Sequence, residues 1–364
     1  MLFLRADLAE LQAYSTHTYP DLPDSLDRLD ANESYYDLPP ELKQKLAWFY
    51  QQQMATNRYP DAGQGELKQL LAGYVNYSAN LNVPIDAAHI SLGNGSDELI
   101  RSLLMATCLG GNGSIVVAEP TFSMYGILAR TLGIPVHRID RSPQNWEMNL
   151  QAAQDVLQRD PTVRVVFVVH PNSPTGNPLT EAEIQWLADI PQSVLVVIDE
   201  AYFEYCQHSL VERLDKHPNW LILRTFSKAL RLAGHRVGYA IADPELIMAL
   251  EKMRLPYNLP TMSQAAARLV LQHHDQLINL DEVCTEREYL YQKFRGLPGV
   301  QVWPSAANFF YLRCLGDYKA IVQAMARHGT LIRHTGGGLR ITIGDRSANQ
   351  RTLERLALVL KAHS

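Results

Sequence analysis

Short aliphatic runs and longer amphipathic segments alternate through the middle of the chain. Ser114–Ala118 (SIVVA), Val163–Val169 (VRVVFVV), Val194–Ile198 (VLVVI) and Leu221–Leu223 (LIL) are rich in Val, Ile and Leu, without alternation of apolar and polar positions. Runs of that kind suit strands covered on both faces, as in a parallel sheet. Helical segments such as EPTFSMYGILARTLG separate them, and this rhythm predicts an α/β fold with a mostly parallel central sheet. His89–Leu92 predicts a further short strand, followed by a glycine turn into the helix that opens at Ser96. Upstream, Glu41–Gln53 has helical periodicity, whereas the residues before it are irregular and rich in proline and turn formers. Beyond Pro244 the pattern changes. A helix over Glu245–Met253 leads to the proline-marked linker LPYNLPTMSQ and a long helical stretch over Ala265–Arg295. Strand-like VQVWP, NFFYLRC, GTLIRH and GLRITIG then alternate with helices at 317–328 and 347–362, predicting a smaller α+β domain. The expected division is an arm over 1–45, a large domain over 46–253 and a small C-terminal domain over 254–364.

Composition narrows the class. A chain of 364 residues favours two domains, and 46% apolar with 20% charged residues is ordinary for a soluble enzyme. A formal charge of −5 gives no electrostatic argument for nucleic acid or an anionic membrane. No apolar run approaches the ~20 residues of a membrane helix. The opening MLFLRADLAELQAY is charged early and lacks a small-residue cleavage site, so no secretory signal is expected. Cys108, Cys206, Cys284 and Cys314 are far apart and form no CxxC pair, which argues against a zinc or redox site and suits a reducing, cytoplasmic compartment.

In open α/β sheets, ligands dock beyond the carboxyl ends of the strands. Each buried run here ends there in a polar cluster: Tyr125; Asn172, Ser173 and Thr175; Asp199 and Tyr202; Ser227 and Lys228. One such cluster is ordinary loop chemistry, but the succession points to a site. Lys228 follows a buried strand and precedes Arg236, a setting in which a lysine amine loses its proton readily and can carry an aldehyde as an imine. Asp199 directly follows apolar residues, so its carboxylate needs a cationic or hydrogen-bonding partner, and a protonated pyridine nitrogen is one. Taken alone, Asp199 would more often begin a turn. The GNGSDE turn offers backbone N–H groups of Ser96 and Asp97 at a helix N-terminus, suited to phosphate, although in isolation a plain N-cap explains it better. Arg236 and Ser227 complete a phosphate clamp, Tyr125 can stack on a flat ring, and Asn172 and Tyr202 can bond a phenolic oxygen. An aromatic aldehyde with a phosphate tail and a pyridine nitrogen satisfies the whole set. That ligand is pyridoxal 5′-phosphate.

The ordered segments GNGSDE, PTFSMY, HPNSPTG, DEAYFEY, TFSKALRLAGHRVGY, NFFYL and LRITIG resemble the fold-type-I, class I/II aminotransferases. With NRYP they are most similar to the branch that transaminates histidinol phosphate in histidine biosynthesis. The resemblance runs from LDANES to the terminal helix. It implies that Lys228 carries the cofactor and shuttles the proton, that Asp199 pairs with the ring nitrogen, and that Tyr202 bonds the phenolic oxygen while Tyr125 stacks on the ring. It implies a homodimer in which Tyr59 of NRYP reaches the phosphate in the neighbouring subunit, with the arm contributing to the small domain and to dimer contacts. Arg340 in LRITIG corresponds to the substrate-anion arginine; Arg333 and Tyr14 fall where the substrate phosphate is held, and Asn32 in the substrate-bordering N-terminal loop. The implied substrates are L-histidinol phosphate with 2-oxoglutarate, giving imidazole-acetol phosphate and L-glutamate.

Two positions depart from the family pattern. The usual Asn before the proline of NPTG is Ser173, with Asn172 one place earlier, so either Asn172 is re-aimed or Tyr202 acts with help from Ser173. The N-terminal motif reads Asn32-Glu33-Ser34-Tyr35-Tyr36. An aromatic aminotransferase or a threonine-phosphate decarboxylase would share the cofactor residues. A nicotinamide-dependent Rossmann enzyme fails on the missing GxGxxG after the first strand. A non-catalytic protein on the same fold is disfavoured by the intact Lys228 and Asp199.

Overall fold

The computed structural model describes Arg5, Leu22, Pro23 and residues 25–363. The strand β1 (Asp27–Arg28) belongs to the smaller unit described below. Next come β2 (Ile90–Asn94), β3 (Ser114–Glu119), β4 (Val136–Asp140), β5 (Val163–Val169), β6 (Leu195–Asp199), β7 (Trp220–Thr225) and β8 (Val237–Ala242). They form a seven-stranded sheet in the order β2-β8-β7-β6-β5-β3-β4. Strands β3 to β7 pair in parallel, whereas β8 runs antiparallel to both β7 and β2.

Both faces of this sheet are buried, which accounts for the unbroken aliphatic runs. Val116, Val166, Val196, Ile198 and Ile222 point into one core, with the helices Gly65–Ser78, Glu181–Ala188 and Thr261–Leu271 against them. Val117, Val165, Val197, Leu221 and Leu223 point into the other, beneath the helices Ser96–Thr107, Met124–Thr131 and Pro244–Met253. Each such side chain stabilises the fold by roughly 1.5–3 kcal/mol relative to exposure. The strand β4 escaped the sequence reading because, as an edge strand, its VHRID sequence is only half-buried.

The smaller unit holds β9 (Val300–Val302), β10 (Phe309–Cys314), β11 (Thr330–Leu331), β12 (Arg333–Thr335) and β13 (Gly338–Thr342). An antiparallel sheet β12-β13-β10-β9 packs on the helices Leu280–Arg295, Tyr318–Arg327 and Arg346–His363, and β1 pairs with β11. Leu29 enters the same core, so the segment around β1 belongs to this unit.

Both expected domain boundaries move. Leu38, Leu42 and Leu46 pack into the large core, as do Leu259, Ala266, Val270, Leu271 and Leu277, well beyond residue 253. The helical stretch expected over Ala265–Arg295 is two helices, Thr261–Leu271 and Leu280–Arg295, separated by a short 3₁₀ turn at His274–Gln276. The first serves the large core and the second the small one, so the break between them is where the chain changes units. Among the described residues no helix is long and apolar enough to cross a membrane.

Candidate active site

A cavity of about 460 Å³ lies where the carboxyl ends of β5, β6 and β7 meet the β12–β13 hairpin. Ser96, Asp97, Ser173, Asp199, Tyr202, Ser227, Lys228, Arg236, Arg333 and Arg340 line it, so the structure brings most of the expected residues together. A larger but open hollow of about 730 Å³ lies at the amino ends of the same strands, beside Arg164 and Leu195, and gathers none of them.

Strand register places the acid. Asp199 ends β6, between Val169 of β5 and Leu223 of β7, with its carboxylate at the buried base of the cavity. Its Oδ1 accepts the Ala201 N–H at 3.0 Å and its Oδ2 accepts the Tyr125 hydroxyl at 2.7 Å. Burial pushes its pKa up to about 6, against the pull of those two donors.

The expectation that Tyr125 stacks on a ligand ring is corrected here. Tyr125 is fully buried, lies parallel to Phe167 at 4.6 Å and is absent from the cavity wall. The turn after β3 brings Thr121, Phe122, Ser123 and Met124 to the wall, and Tyr125, already in the helix, turns down into the core. Phe122 is the aromatic of this turn that faces the cavity, and the sequence reading missed it. Its position just after a β3 strand end was the available signal.

Tyr202 follows the end of β6. Its hydroxyl accepts the Asn32 side-chain amide at 3.0 Å, and its ring meets Phe309 edge-on. Asn32 is wholly buried, tied through Thr342 at 3.1 Å and through its own carbonyl to Asn308 at 3.2 Å. Expected at the substrate, Asn32 instead stands behind Tyr202 and fixes its phenol.

Lys228 lies beyond β7, in the turn closed by Ser227 N–H to Thr225 and by Arg231 N–H to the Lys228 carbonyl. Its Nζ donates to the Ala31 carbonyl at 2.8 Å. Burial holds the amine below the usual lysine range, and the nearby guanidinium groups of Arg340 and Arg236 act in the same direction.

At the far end, the helix Ser96–Thr107 opens from Gly95 towards Arg236. Arg236 donates to Ser227 Oγ at 3.1 Å and to Asp97 Oδ2 at 3.4 Å. Burial raises the Asp97 carboxyl, and Arg236 opposes that shift. The glycines are needed for this closeness. A Cβ on Gly238 would stand 2.4 Å from the Ser96 nitrogen, and one on Gly95 2.4 Å from Arg236 Nη2.

The question posed by Ser173 is answered by the loop geometry. Asn172 is not re-aimed; its amide donates to Thr175 Oγ1 at 2.6 Å and to the Pro120 carbonyl at 3.1 Å, holding the loop from behind. Ser173 faces the cavity and accepts from Arg340 Nη1 at 3.3 Å. Arg340 also donates to the Asp30 carbonyl at 2.7 Å. Arg333 and Arg340 are cross-strand partners on β12 and β13, and both border the cavity. Tyr59 lies away from the cavity, 80% exposed and stacked on Tyr257 at 4.4 Å. Tyr14 lies outside the described residues.

A buried carboxylate, a phenol, a lysine amine whose charged form burial disfavours and an N–H-rich helix terminus with an arginine, arranged along one cavity, fit a pyridinium aldehyde bearing a phosphate. Fold and site together define a pyridoxal-phosphate enzyme of fold type I. Residues 27–356 match the family Aminotransferase class I and II, and the chain belongs to that family. It is 54% identical to the histidinol-phosphate aminotransferase of Trichodesmium erythraeum (strain IMS101), over 97% of this chain and 98% of that protein. It is likewise 54% identical to histidinol-phosphate aminotransferase 2 of a Nostoc species, over 98% and 97% of the two chains. Among solved structures, the histidinol-phosphate aminotransferase of Sinorhizobium meliloti in complex with pyridoxal 5′-phosphate shares the fold. It superposes with a TM-score of 0.82 at 24% identity, covering 93% of this chain and 92% of that one.

Proposed function

We infer that this aminotransferase moves an amino group reversibly between L-histidinol phosphate and 2-oxoglutarate, giving imidazole-acetol phosphate and L-glutamate. The observation that carries this reading is the 54% identity, over nearly the whole of both chains, to relatives bearing that activity in their names. The pair of arginines facing the cavity supports it, because one substrate carries a phosphate and the other a carboxylate at each end.

When bound, pyridoxal 5′-phosphate supplies the aldehyde that accepts the amino group and a ring that withdraws electrons from the substrate α-carbon. Lys228 Nζ is the attachment point and the base that would carry the α-proton to the carbon that held the aldehyde; its burial works against the charged ammonium, in the direction this task needs. Asp199 holds a proton on the ring nitrogen. Tyr202, aimed by Asn32, donates to the phenolic oxygen, with the short Ser173 beside it. The backbone N–H groups of Ser96 and Asp97, with Ser227 and Arg236, hold the cofactor phosphate, and Phe122 covers the ring. Arg340, fixed by the Asp30 carbonyl, takes the substrate anion, and Arg333 with Tyr14 takes the substrate phosphate.

Two wider features belong to the same reading. The exposed Tyr59 reaches the cofactor phosphate of a second subunit, which makes the enzyme a homodimer. Four cysteines, all free, suit a cytoplasmic setting.

The test compares kcat/KM of the reconstituted enzyme for histidinol phosphate, aromatic amino acids and threonine phosphate. A preference of at least about tenfold for histidinol phosphate is expected. Near-equal values, or release of carbon dioxide from threonine phosphate, would overturn the substrate assignment. Borohydride reduction should fix the cofactor to the peptide containing Lys228.

A further inference from the structure

The glycine run Gly336-Gly337-Gly338 joins β12 to β13, the two strands that carry Arg333 and Arg340. Its tip is pressed onto the large unit. A Cβ on Gly336 would come within 2.7 Å of Pro120 and 3.1 Å of Pro174, the prolines next to Thr121 and Ser173 in the cavity-lining loops. Gly336 and Gly337 also have φ of 59° and 75°, in the left-handed region that favours glycine.

The same tip is held from inside the small unit by Tyr311. This residue is the cross-strand partner of Arg340 on β10, is fully buried and donates from its hydroxyl to the Gly336 carbonyl. Its ring is braced by Trp146, which comes from the large unit and meets it edge-on at 5.3 Å. Gly338 stands just as close, since a Cβ there would fall 2.7 Å from the Tyr311 ring. The hairpin is thus clamped at its tip by both units, and its two arginines project from strands only a few residues away.

We propose that Tyr311 and Gly336 form a clasp that positions Arg333 and Arg340 for the substrate anion, so that they determine substrate affinity without touching substrate or cofactor. The contact with Pro120 and Pro174 ties this clasp to the loops that border the cofactor. Loosening the tip frees the arginines relative to the ring and leaves Lys228, Asp199 and Arg236, which sit on the large sheet, in place. The inference rests on the reading of Arg333 and Arg340 as the anion partners.

The test uses the full-length, cofactor-loaded enzyme with Tyr311→Phe, which keeps the ring and removes only the hydroxyl, and Gly336→Ala, which displaces the tip from Pro120. For Tyr311→Phe, KM for histidinol phosphate and glutamate should rise about 3- to 10-fold, the loss of one hydrogen bond's worth of positioning. Gly336→Ala should raise KM at least as much. In both, kcat should stay within about twofold, and the visible absorption and affinity of the bound cofactor should match wild type. Unchanged KM in both variants overturns the clasp. Weakened cofactor binding in Tyr311→Phe also overturns it, since the residue would then support the whole site. If wild type itself fails to turn over histidinol phosphate, the substrate reading has failed; if wild type succeeds and the variants match it, only the clasp has failed.

Discussion

The Tyr125 hydroxyl donates to Asp199 Oδ2 at 2.7 Å inside a fully buried layer below the cavity. A phenol in that place favours the charged form of the acid, opposing the burial that lifts Asp199 to about 6. Removing the hydroxyl should raise the Asp199 pKa further, so the carboxylate pairs with the ring nitrogen over a narrower range of pH. For Tyr125→Phe, the acidic limb of cofactor affinity should move up by about one pH unit, so that affinity falls about twofold near pH ~7 and about tenfold near pH ~5. Phe167→Leu, which loosens the Tyr125 ring but keeps the hydroxyl, should leave that limb in place. Titrating cofactor binding against pH in the three proteins checks this. Superimposable limbs for Tyr125→Phe and wild type would remove the assigned role.

The same acid makes the cofactor-free protein sensitive to pH. The folded state holds Asp199 at about 6 against an ordinary 3.8, so it binds the proton more tightly than the unfolded chain does. Its contribution to stability is therefore complete below pH ~4 and is lost as pH rises through about 6. Asp199→Asn removes that loss. Cofactor-free Asp199→Asn should gain stability over cofactor-free wild type as pH rises from about 4 to 7, by roughly 2–3 kcal/mol, while losing cofactor affinity. Thermal unfolding across that range measures the difference. A difference that stays constant with pH, or shrinks, contradicts it.

Much of this site was legible in the sequence because strand ends are fixed by hydrophobicity. The run VLVVI has nowhere to lie but inside a sheet, and Asp199 then stands at the carboxyl end where ligands dock. Lys228 and Arg236 follow β7 in the same way. What was not legible is rotation about a turn. Phe122 and Tyr125 both follow β3, and only the entry angle of the helix Met124–Thr131 decides which faces the cavity. Asn32 was misread for a related reason. Its neighbours in space, Tyr202, Asn308 and Thr342, are distant in sequence, so nothing local distinguishes a substrate contact from a support. The domain boundary failed where helical periodicity continues through a break that no proline or glycine marks.

Gly238 tests the phosphate cradle by steric means. A methyl group there would stand 2.4 Å from the Ser96 nitrogen and 2.6 Å from the Gly95 carbonyl carbon, so the start of the helix must retreat. The N–H groups assigned to the phosphate would retreat with it. Gly238→Ala should lower affinity for pyridoxal 5′-phosphate by at least about tenfold and lower the affinity for pyridoxal, which lacks the phosphate, far less. Equal losses for the two ligands would show that the helix terminus does not recognise the phosphate.

Tyr59 and Lys228 give a decisive test of shared sites. Tyr59 is 80% exposed and remote from its own cavity, whereas Lys228 is half-buried in the wall of that cavity. If Tyr59 serves the neighbouring subunit, each site combines Lys228 of one chain with Tyr59 of the other. Lys228→Ala alone should reduce turnover by about 10²–10⁴-fold or more, because it removes the proton carrier. Tyr59→Ala should mainly weaken cofactor binding. Mixing the two variants under conditions that exchange subunits should then produce hybrids in which one site carries both substitutions and the other neither. At limiting cofactor, activity should rise well above that of either variant, towards about a quarter of wild type for random exchange between equal amounts. No gain despite hybrids seen by native mass spectrometry would place Tyr59 outside the partner's site, and a strictly monomeric protein in sedimentation would remove the homodimer altogether.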